Sequence, residues 1–172
     1  SAAESVNKMG ERLYLGIDLG TFQSTITASN GNGDTIETVV GKPKDPIARN
    51  FLKRDTLFGA DALKNKLACN IYRPLSSGVA QDDENNLAAA KSFVTHLVET
   101  VDPEDFDEVF GVICSPSTIS FVDKSNLVSI LRGQVNAIMV VSEPFAVAFG
   151  LDELGGSIVV DIGAGTTDIA RI

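Results

Sequence analysis

Tryptophan is absent from this 172-residue chain, histidine occurs once and cysteine twice. With His96 alone, no Ser-His-Asp or Cys-His catalytic set is plausible, and His96 falls off the apolar stripe of its predicted helix, as a solvated surface residue would. Cys69 and Cys114 stand far apart with no CxxC, so two reduced, buried thiols of a cytosolic protein are expected rather than a zinc or disulfide framework. Positive charge is scarce: 14 basic residues face 23 acidic ones, a net charge of −9, with no basic run. That balance argues against nucleic acid and anionic membrane surfaces as partners. No apolar stretch reaches the roughly 18–20 residues that cross a bilayer. There is no Walker A lysine motif and no GxGxxG after a strand, so P-loop and Rossmann sites are unsupported. The opening Ser1-Ala-Ala-Glu-Ser5 has neither Met nor a signal-like apolar core, which suggests a processed or artificially cut terminus.

What is present is a core. Hydrophobic residues make up 44% of the chain and the mean hydropathy is +0.12, enough for one domain, or one domain plus a fragment of another. Residues 1–11 read as a disordered tail. Leu13–Leu19 is an aliphatic, largely buried strand, Ser24–Ser29 a β-branched one, and Asn30-Gly-Asn-Gly-Asp34 a turn before Thr35–Val40. An antiparallel meander fits these three, and Gly41–Pro46 is expected to break the sheet. From Ile47 to Val79 the pattern is irregular, with a short helix near Gly59–Leu67 and a turn at Arg73–Gly78. Asp82 or Asp83 then caps a helix with a stripe of Leu87, Ala90, Val94, Leu97, Val98 and Val101. Glu108–Cys114 is a buried strand, and Ser115-Pro-Ser-Thr118 caps a helix running to Arg132 with Phe121, Val128 and Leu131 inward. Ala137–Val141 is an apolar strand; Ser142 caps a third helix with Pro144 in its first turn, ended by Gly155-Gly156. The result is an α/β fold: a mixed β-sheet with an antiparallel meander start and flanking helices, plus a C-terminal β-hairpin.

Two turns carry the chemistry. Asp18-Leu-Gly-Thr21 and Asp161-Ile-Gly-Ala-Gly-Thr-Thr-Asp168 each sit between β-rich runs near opposite ends of the chain. Gly20, Thr21 and Phe22 in the first, and Gly163, Ala164, Gly165, Thr166 and Thr167 in the second, offer backbone N–H groups and hydroxyls to a phosphate. Asp18 and Asp161 just before the turns would repel phosphate directly, so their useful role is to hold Mg²⁺ or its waters. Glu143 opens a helix, where a carboxylate either complements the helix dipole or orients the water that attacks a terminal phosphate. Asp168 reads equally as a structural turn partner or as an acid supporting the site.

In order and spacing, Asp18-Leu-Gly-Thr21, Ser142-Glu-Pro-Phe-Ala-Val-Ala-Phe-Gly150 and Asp161–Asp168 resemble the phosphate-1, connect-1 and phosphate-2 segments of the actin/Hsp70/sugar-kinase ATPase superfamily. Glu-Pro after an apolar strand is similar to bacterial actins of the MreB type, and Val39–Asp45 and Thr95–Val98 further resemble their magnetosome-associated branch. The resemblance implies an RNase H-like domain I over 12–156, subdomain IB at about 41–79, and 157–172 as an orphan first hairpin of domain II. It implies ATP and Mg²⁺ as cofactors, with Asp18 and Asp161 organising the metal, Thr21 and residues 163–167 holding phosphates, and Glu143 with Asp161 as the catalytic pair. Phe22-Gln23 departs from the smaller pair usual there, and bulk beside the phosphate loop would hinder nucleotide. The resemblance covers the first half of such a protein. No adenosine motif is present, so impaired nucleotide binding and little or no ATPase activity are expected. Two function classes follow: half of a filament-forming cytoskeletal ATPase, cytoplasmic and associated with magnetosomes, or a half-length, non-hydrolysing partner of full-length actin-like filaments. A weaker third is a piece of an Hsp70-like or sugar-kinase ATPase. Uncovered apolar surface predicts self-association, with exchange of the 157–172 hairpin, or docking on a full-length filament.

Overall fold

The structure is a computed structural model and describes residues 10–76, 79–80 and 84–172. A mixed five-stranded sheet organises it. Strand β1 (Arg12–Leu19) pairs antiparallel with β2 (Gln23–Ala28), and β2 with β3 (Gly33–Glu37), as the meander predicted. Along β1 the burial alternates strictly: Leu13, Leu15, Ile17 and Leu19 are buried, while Arg12, Tyr14, Gly16 and Asp18 face the open side. The strand is thus half-buried rather than largely buried, because the main core packs against one of its faces only.

The expected single strand over Thr35–Val40 is two strands in two sheets. β3 ends at Glu37, and β4 (Val40–Pro43) joins a second, three-stranded sheet between β5 (Leu57–Phe58) and β6 (Cys69–Tyr72). Thr38 causes the break. Its buried hydroxyl donates to the Gly20 carbonyl at 2.7 Å and pairs with Ser24 Oγ at 2.9 Å, and the consecutive Val39 and Val40 are both buried. Gly41 therefore sits inside a strand and does not end one.

The stretch from 47 to 79 is more regular than expected. Helix α1 (Pro46–Leu52) is capped by Asp45, whose carboxylate accepts from Ala48 N at 2.8 Å, and Pro46 occupies its first turn. Lys53 ends it in the left-handed region at φ 52°. Helix α2 (Gly59–Lys64) follows; Gly59 has φ +53° and sits against Ile36, where a Cβ would collide at 2.6 Å. Val39, Leu57, Ala62 and Cys69 form a small separate core. β7 (Leu75–Ser76) and β8 (Val79–Ala80) form a short hairpin around part of the expected turn; Ser77 and Gly78 lie outside the described residues.

Helix α3 (Glu84–Glu99) buries Ala89, Ala90, Phe93, Val94, Leu97 and Val98. The expected caps, Asp82 and Asp83, lie outside the described residues, as does the tail through residue 9. Phe93, absent from the expected stripe, is the largest fully buried side chain. His96 is half-buried rather than a fully solvated surface residue: its ring stacks on Phe58 with centroids 4.2 Å apart. A 3₁₀ turn (Pro103–Asp105) leads into β9 (Glu108–Ser115), parallel to β1. Helix α4 (Phe121–Leu131) begins later than expected, because Ser120, not the Ser115–Thr118 segment, caps it through its bond from Asp123 N. The shift turns Phe121 outward, 84% exposed, and Leu127, Ile130 and Leu131 make the buried face. β10 (Ala137–Ser142) adds to β9 in parallel, giving the order β10-β9-β1-β2-β3. Helix α5 (Glu143–Gly150) stops well before Gly155-Gly156, with Asp152 turning left-handed at φ 58°. β11 (Ile158–Ile162) and β12 (Thr167–Arg171) form a separate two-stranded sheet beside α5. The fold class is the mixed α/β sheet with flanking helices that the sequence predicted.

Candidate functional site

Parallel pairing aligns the C-terminal ends of three strands. Asp18 of β1 is paired with Cys114 of β9, Cys114 with Val141 of β10, and Ser115 with Ser142, one residue before Glu143. Ligands in open α/β sheets settle at such carboxyl ends. The β11–β12 hairpin brings Asp161 to the same edge, and together these elements wall a cleft of ≈ 330 Å³.

Nearly all of the candidate residues meet there. Asp18, Gly20, Thr21 and Phe22 line one wall, Glu143 one end, and Asp161, Gly163, Ala164, Gly165 and Thr166 the other wall. Thr167 does not line the cleft; as the first residue of β12 it pairs with Ile162 and is exposed. The cleft also uses Leu19, Gln23 and Thr25, which motif reading missed. Thr25 was legible in principle, since it stands directly opposite Asp18 in the β1–β2 register. Phe22, half-exposed, flanks the cleft as a bulky wall.

Each turn is built for its shape. A Cβ at Gly20 would run into the Gln23 carbonyl oxygen, so only glycine closes that turn without a shift. Thr38 holds the turn from behind, its hydroxyl on the Gly20 carbonyl and its N–H donating to the Phe22 carbonyl at 2.8 Å. The second turn closes through Gly163 N–H to the Thr166 carbonyl at 2.9 Å. At Gly163 an added Cβ would make only ordinary contact, 3.5 Å from the Thr166 carbonyl oxygen and 3.7 Å from its hydroxyl, so sterics do not demand glycine there.

Asp168 has a structural partner. Buried at 7% exposure, it accepts from Ser117 N–H at 2.6 Å and from the Ser117 hydroxyl at 2.5 Å. It therefore ties the hairpin to the loop after β9, and it lies opposite Asp161 in the hairpin register.

The electrostatics of the cleft are strained. Burial, then the charges of Asp18, Asp161 and Asp168, push the Glu143 carboxyl up to about 7. Asp18 is raised too, first by partial burial of its carboxyl and then by Asp161, although its side chain is reachable from the open face of β1. Cys114, half-buried where both thiols were expected buried, is pushed up to about 11 by burial and then by the charges of Asp18, Glu143 and Asp161, which keeps it an unreactive thiol. Ser142 begins α5 without a side-chain cap bond. Its part is positional, setting Glu143 one residue beyond the strand end. Among the described residues, no group of three His, Cys, Asp or Glu side chains is close enough to ligate one metal ion directly.

Comparison with known proteins agrees with this architecture. The family model described as MreB/Mbl protein matches residues 12–172. The chain is 37% identical over 171 residues to the actin-like protein MamK of Paramagnetospirillum magneticum, and 37% identical over 179 residues to MamK of Magnetospirillum gryphiswaldense. Each alignment covers 99% of this chain, and 49% and 50% of those two proteins respectively. The chain thus spans about half the length of the curated relatives it matches. Among solved structures, a MamK double helical filament superposes with a TM-score of 0.89 at 38% identity, over 93% of this chain and 50% of that one. A non-polymerising MamK mutant bound to AMPPNP superposes with a TM-score of 0.83, over 94% and 50%. MreB 5 of Spiroplasma citri bound to ADP, at 19% identity and a TM-score of 0.72 over 93% and 48%, shares the fold. A match to the family model over residues 12–172, joined to relatives above 30% identity, places this chain in the MreB/Mbl family of actin-like proteins.

Proposed function

We propose that these residues form the phosphate-binding half of an ATP-dependent, filament-forming bacterial actin of the magnetosome-associated kind, working in the cytoplasm. In this reading residues 12–156 are domain I, about 41–79 its subdomain IB, and 157–172 the first hairpin of domain II. One observation carries it: two Gly-Thr turns from opposite ends of the chain converge on a cleft where Asp18, Glu143 and Asp161 face one another.

The donor set fits a phosphate chain accompanied by a hydrated divalent cation. Asp18 and Glu143, held above their ordinary range by burial and then by neighbouring carboxylates, would be relieved by a cation in the cleft, and Mg²⁺ retains several waters when few ligands reach it. Asp18 and Asp161 would hold Mg²⁺ through those waters, which shields the charge of the phosphates. Gly20, Thr21 and the 163–166 turn orient the phosphates, with Thr167 supporting the turn from the strand. Glu143, titrating near 7, is matched to take a proton from an attacking water. Asp161 fixes the direction of that water, and Phe22 closes one side of the cleft.

The chain spans about half the length of the curated relatives it matches, and on that ground these 172 residues alone are expected to bind nucleotide weakly and to hydrolyse little or none. Each 1.4 kcal/mol of lost contact is about tenfold in affinity. Calorimetric titration with Mg·ATP, run beside phosphate release and light scattering, tests this. Weak binding that disappears in Asp18→Asn with Asp161→Asn supports the site; binding unchanged by that pair overturns it. Phosphate release at an actin-like rate, abolished by Glu143→Ala, would show that the chain hydrolyses ATP by itself.

A second reading rests on the hairpin. Ile158, Val160, Ile162 and Ile169 are all exposed, with Val160 directly opposite Ile169. Such a surface favours self-association, including exchange of the hairpin, or docking on a full-length filament as a non-hydrolysing partner. Sedimentation at high micromolar concentration tests it. A monomer there, and no co-pelleting with full-length filaments, rules the second reading out.

A further inference from the structure

The turn that joins β2 to β3 carries chemistry of its own. Asn30-Gly31 and Asn32-Gly33 stand there in tandem, and they are the chain's two Asn-Gly pairs. All four residues are exposed. A glycine after asparagine lacks the Cβ that would keep its backbone nitrogen away from the side-chain amide, so such a pair is prone to cyclise.

The fold treats the two pairs differently. Asn30 is held at both ends of its amide: Nδ2 donates to the Val101 carbonyl at 2.9 Å, and Oδ1 accepts from Asn32 N–H at 3.0 Å. The nitrogen that would attack it is held as well, because Gly31 N–H closes the turn on the Ala28 carbonyl at 3.0 Å. Among the described residues the Asn32 amide makes one bond, from Nδ2 to the Asp102 carboxylate at 2.8 Å. Its attacking nitrogen is open. Ala28 N–H donates to the Asn32 carbonyl at 2.9 Å, and antiparallel pairs alternate between bonded and non-bonded, so the next pair, Thr27 with Gly33, is a non-bonded one. Gly33 N–H therefore points away from β2, off the edge strand of the sheet. Glycine is also required here by the ladder, since a Cβ would stand 2.9 Å from the Ile26 carbonyl oxygen.

We propose that Asn32 is a site of spontaneous deamidation, a covalent ageing mark at the β2–β3 turn, while Asn30 beside it is protected by the fold. The Gly33 nitrogen attacks Asn32 Cγ and the new C–N bond closes a five-membered succinimide. The Cγ–Nδ2 bond breaks, and the proton of the attacking nitrogen leaves with the amide nitrogen as ammonia. Water then adds to one of the two ring carbonyls, its hydroxyl going to carbon and its proton to the ring nitrogen. Opening at Cγ gives aspartate; opening at the main-chain carbonyl gives isoaspartate. Nothing is oxidised or reduced. Either product replaces the donor to Asp102 with a second carboxylate, and isoaspartate also adds a backbone carbon just before β3. The mark lies at the far end of β2 from Gln23, which lines the cleft, so it is independent of the proposed nucleotide site.

The test is peptide mapping by mass spectrometry of the folded chain held at mildly alkaline pH, beside the same chain unfolded in urea. In the folded chain Asn32 should gain one mass unit, as separable aspartate and isoaspartate forms, at least about tenfold faster than Asn30, because attack at Asn30 breaks two more hydrogen bonds. In urea the two sites should react at comparable rates. Asn32→Ser should remove the fast gain and leave Asn30 slow. Asn32→Asp, which copies one product, should speed amide exchange at Ala28 and Gly31 while β9 is unchanged. Equal rates at the two sites in the folded chain, faster reaction at Asn30, or no gain at Asn32 overturns the proposal. Exchange at the turn unmoved by Asn32→Asp would overturn the part assigned to the Asp102 tie.

Discussion

Replacing Glu143 with Gln should make the protein more stable, and only above a certain pH. The Glu143 carboxyl moves from an ordinary 4.5 in the unfolded chain to about 7 in the folded one. Below 4.5 both states hold the proton and the group contributes nothing. As pH rises from 4.5 through 7 the unfolded state ionises first, so the folded state loses ground; above 7 the full penalty is present. A displacement of that size corresponds to about 3 kcal/mol, and solvent contact in the open cleft reduces it to about 1–2 kcal/mol. Gln keeps the shape and cannot ionise. For a chain of this length the gain is a rise of about 2–8 °C in Tm. Scanning calorimetry of both proteins at about pH 8.5 and about pH 4 reads it directly. The expected result is a higher Tm for the Gln variant at the alkaline pH and little difference at the acidic one. Mg²⁺ should then raise the wild-type Tm more than that of the variant, because it relieves the same repulsion. A variant no more stable than the parent at alkaline pH would refute the placement of Glu143 among the other carboxylates.

Three further outcomes follow from the geometry. Gly20→Ala should cost about 1–3 kcal/mol, because its Cβ meets the Gln23 carbonyl, whereas Gly163→Ala should be near neutral in urea unfolding; the reverse order would contradict the turn geometry. Asp168→Asn should lose about 1.5–3 kcal/mol of charge-assisted bonding to Ser117. Its signature is faster amide exchange across Ile158–Arg171 with α3 unaffected, and uniform acceleration would argue against a local tie. Phe93→Ala should cost about 3–5 kcal/mol from the centre of the core, read as a lower urea midpoint.

The readings that succeeded rested on motifs and strong periodicity. Both Asp-x-Gly turns, the meander and the α3 stripe were visible because glycine, β-branched runs and three-four spacing are local signals. The failures were tertiary. Nothing local tells that Thr38 will turn its hydroxyl on Gly20 and divert the chain into a second sheet. Ser115 and Ser120 are both plausible caps for α4, and the choice between them, which sent Phe121 outward, is made by packing of Leu127, Ile130 and Leu131. Asp45-Pro46 was a legible helix start at α1, obscured by the prolines around it. In the cleft the acids and glycines were readable, but the Asp168–Ser117 tie was not, since the partners lie 51 residues apart.

The pairing of β1, β9 and β10 also works as a ruler. Asp18, Cys114 and Ser142 arrive at one edge only because the three strands keep step from Leu13 opposite Val109 onward. Deleting one residue inside β9 would slide its end back by about 3.3 Å and reverse the faces of the residues before the slip. Ile113, now on the core face, would turn to the open face and Val112 inward, while both Asp-x-Gly turn motifs stayed intact on paper. Strand length between the motifs is thus as much a part of the site as the motifs are, whereas the connections that carry α3 and α4 are free to vary. A relative that keeps every Asp and Gly but changes a strand length by one residue should have lost the cleft.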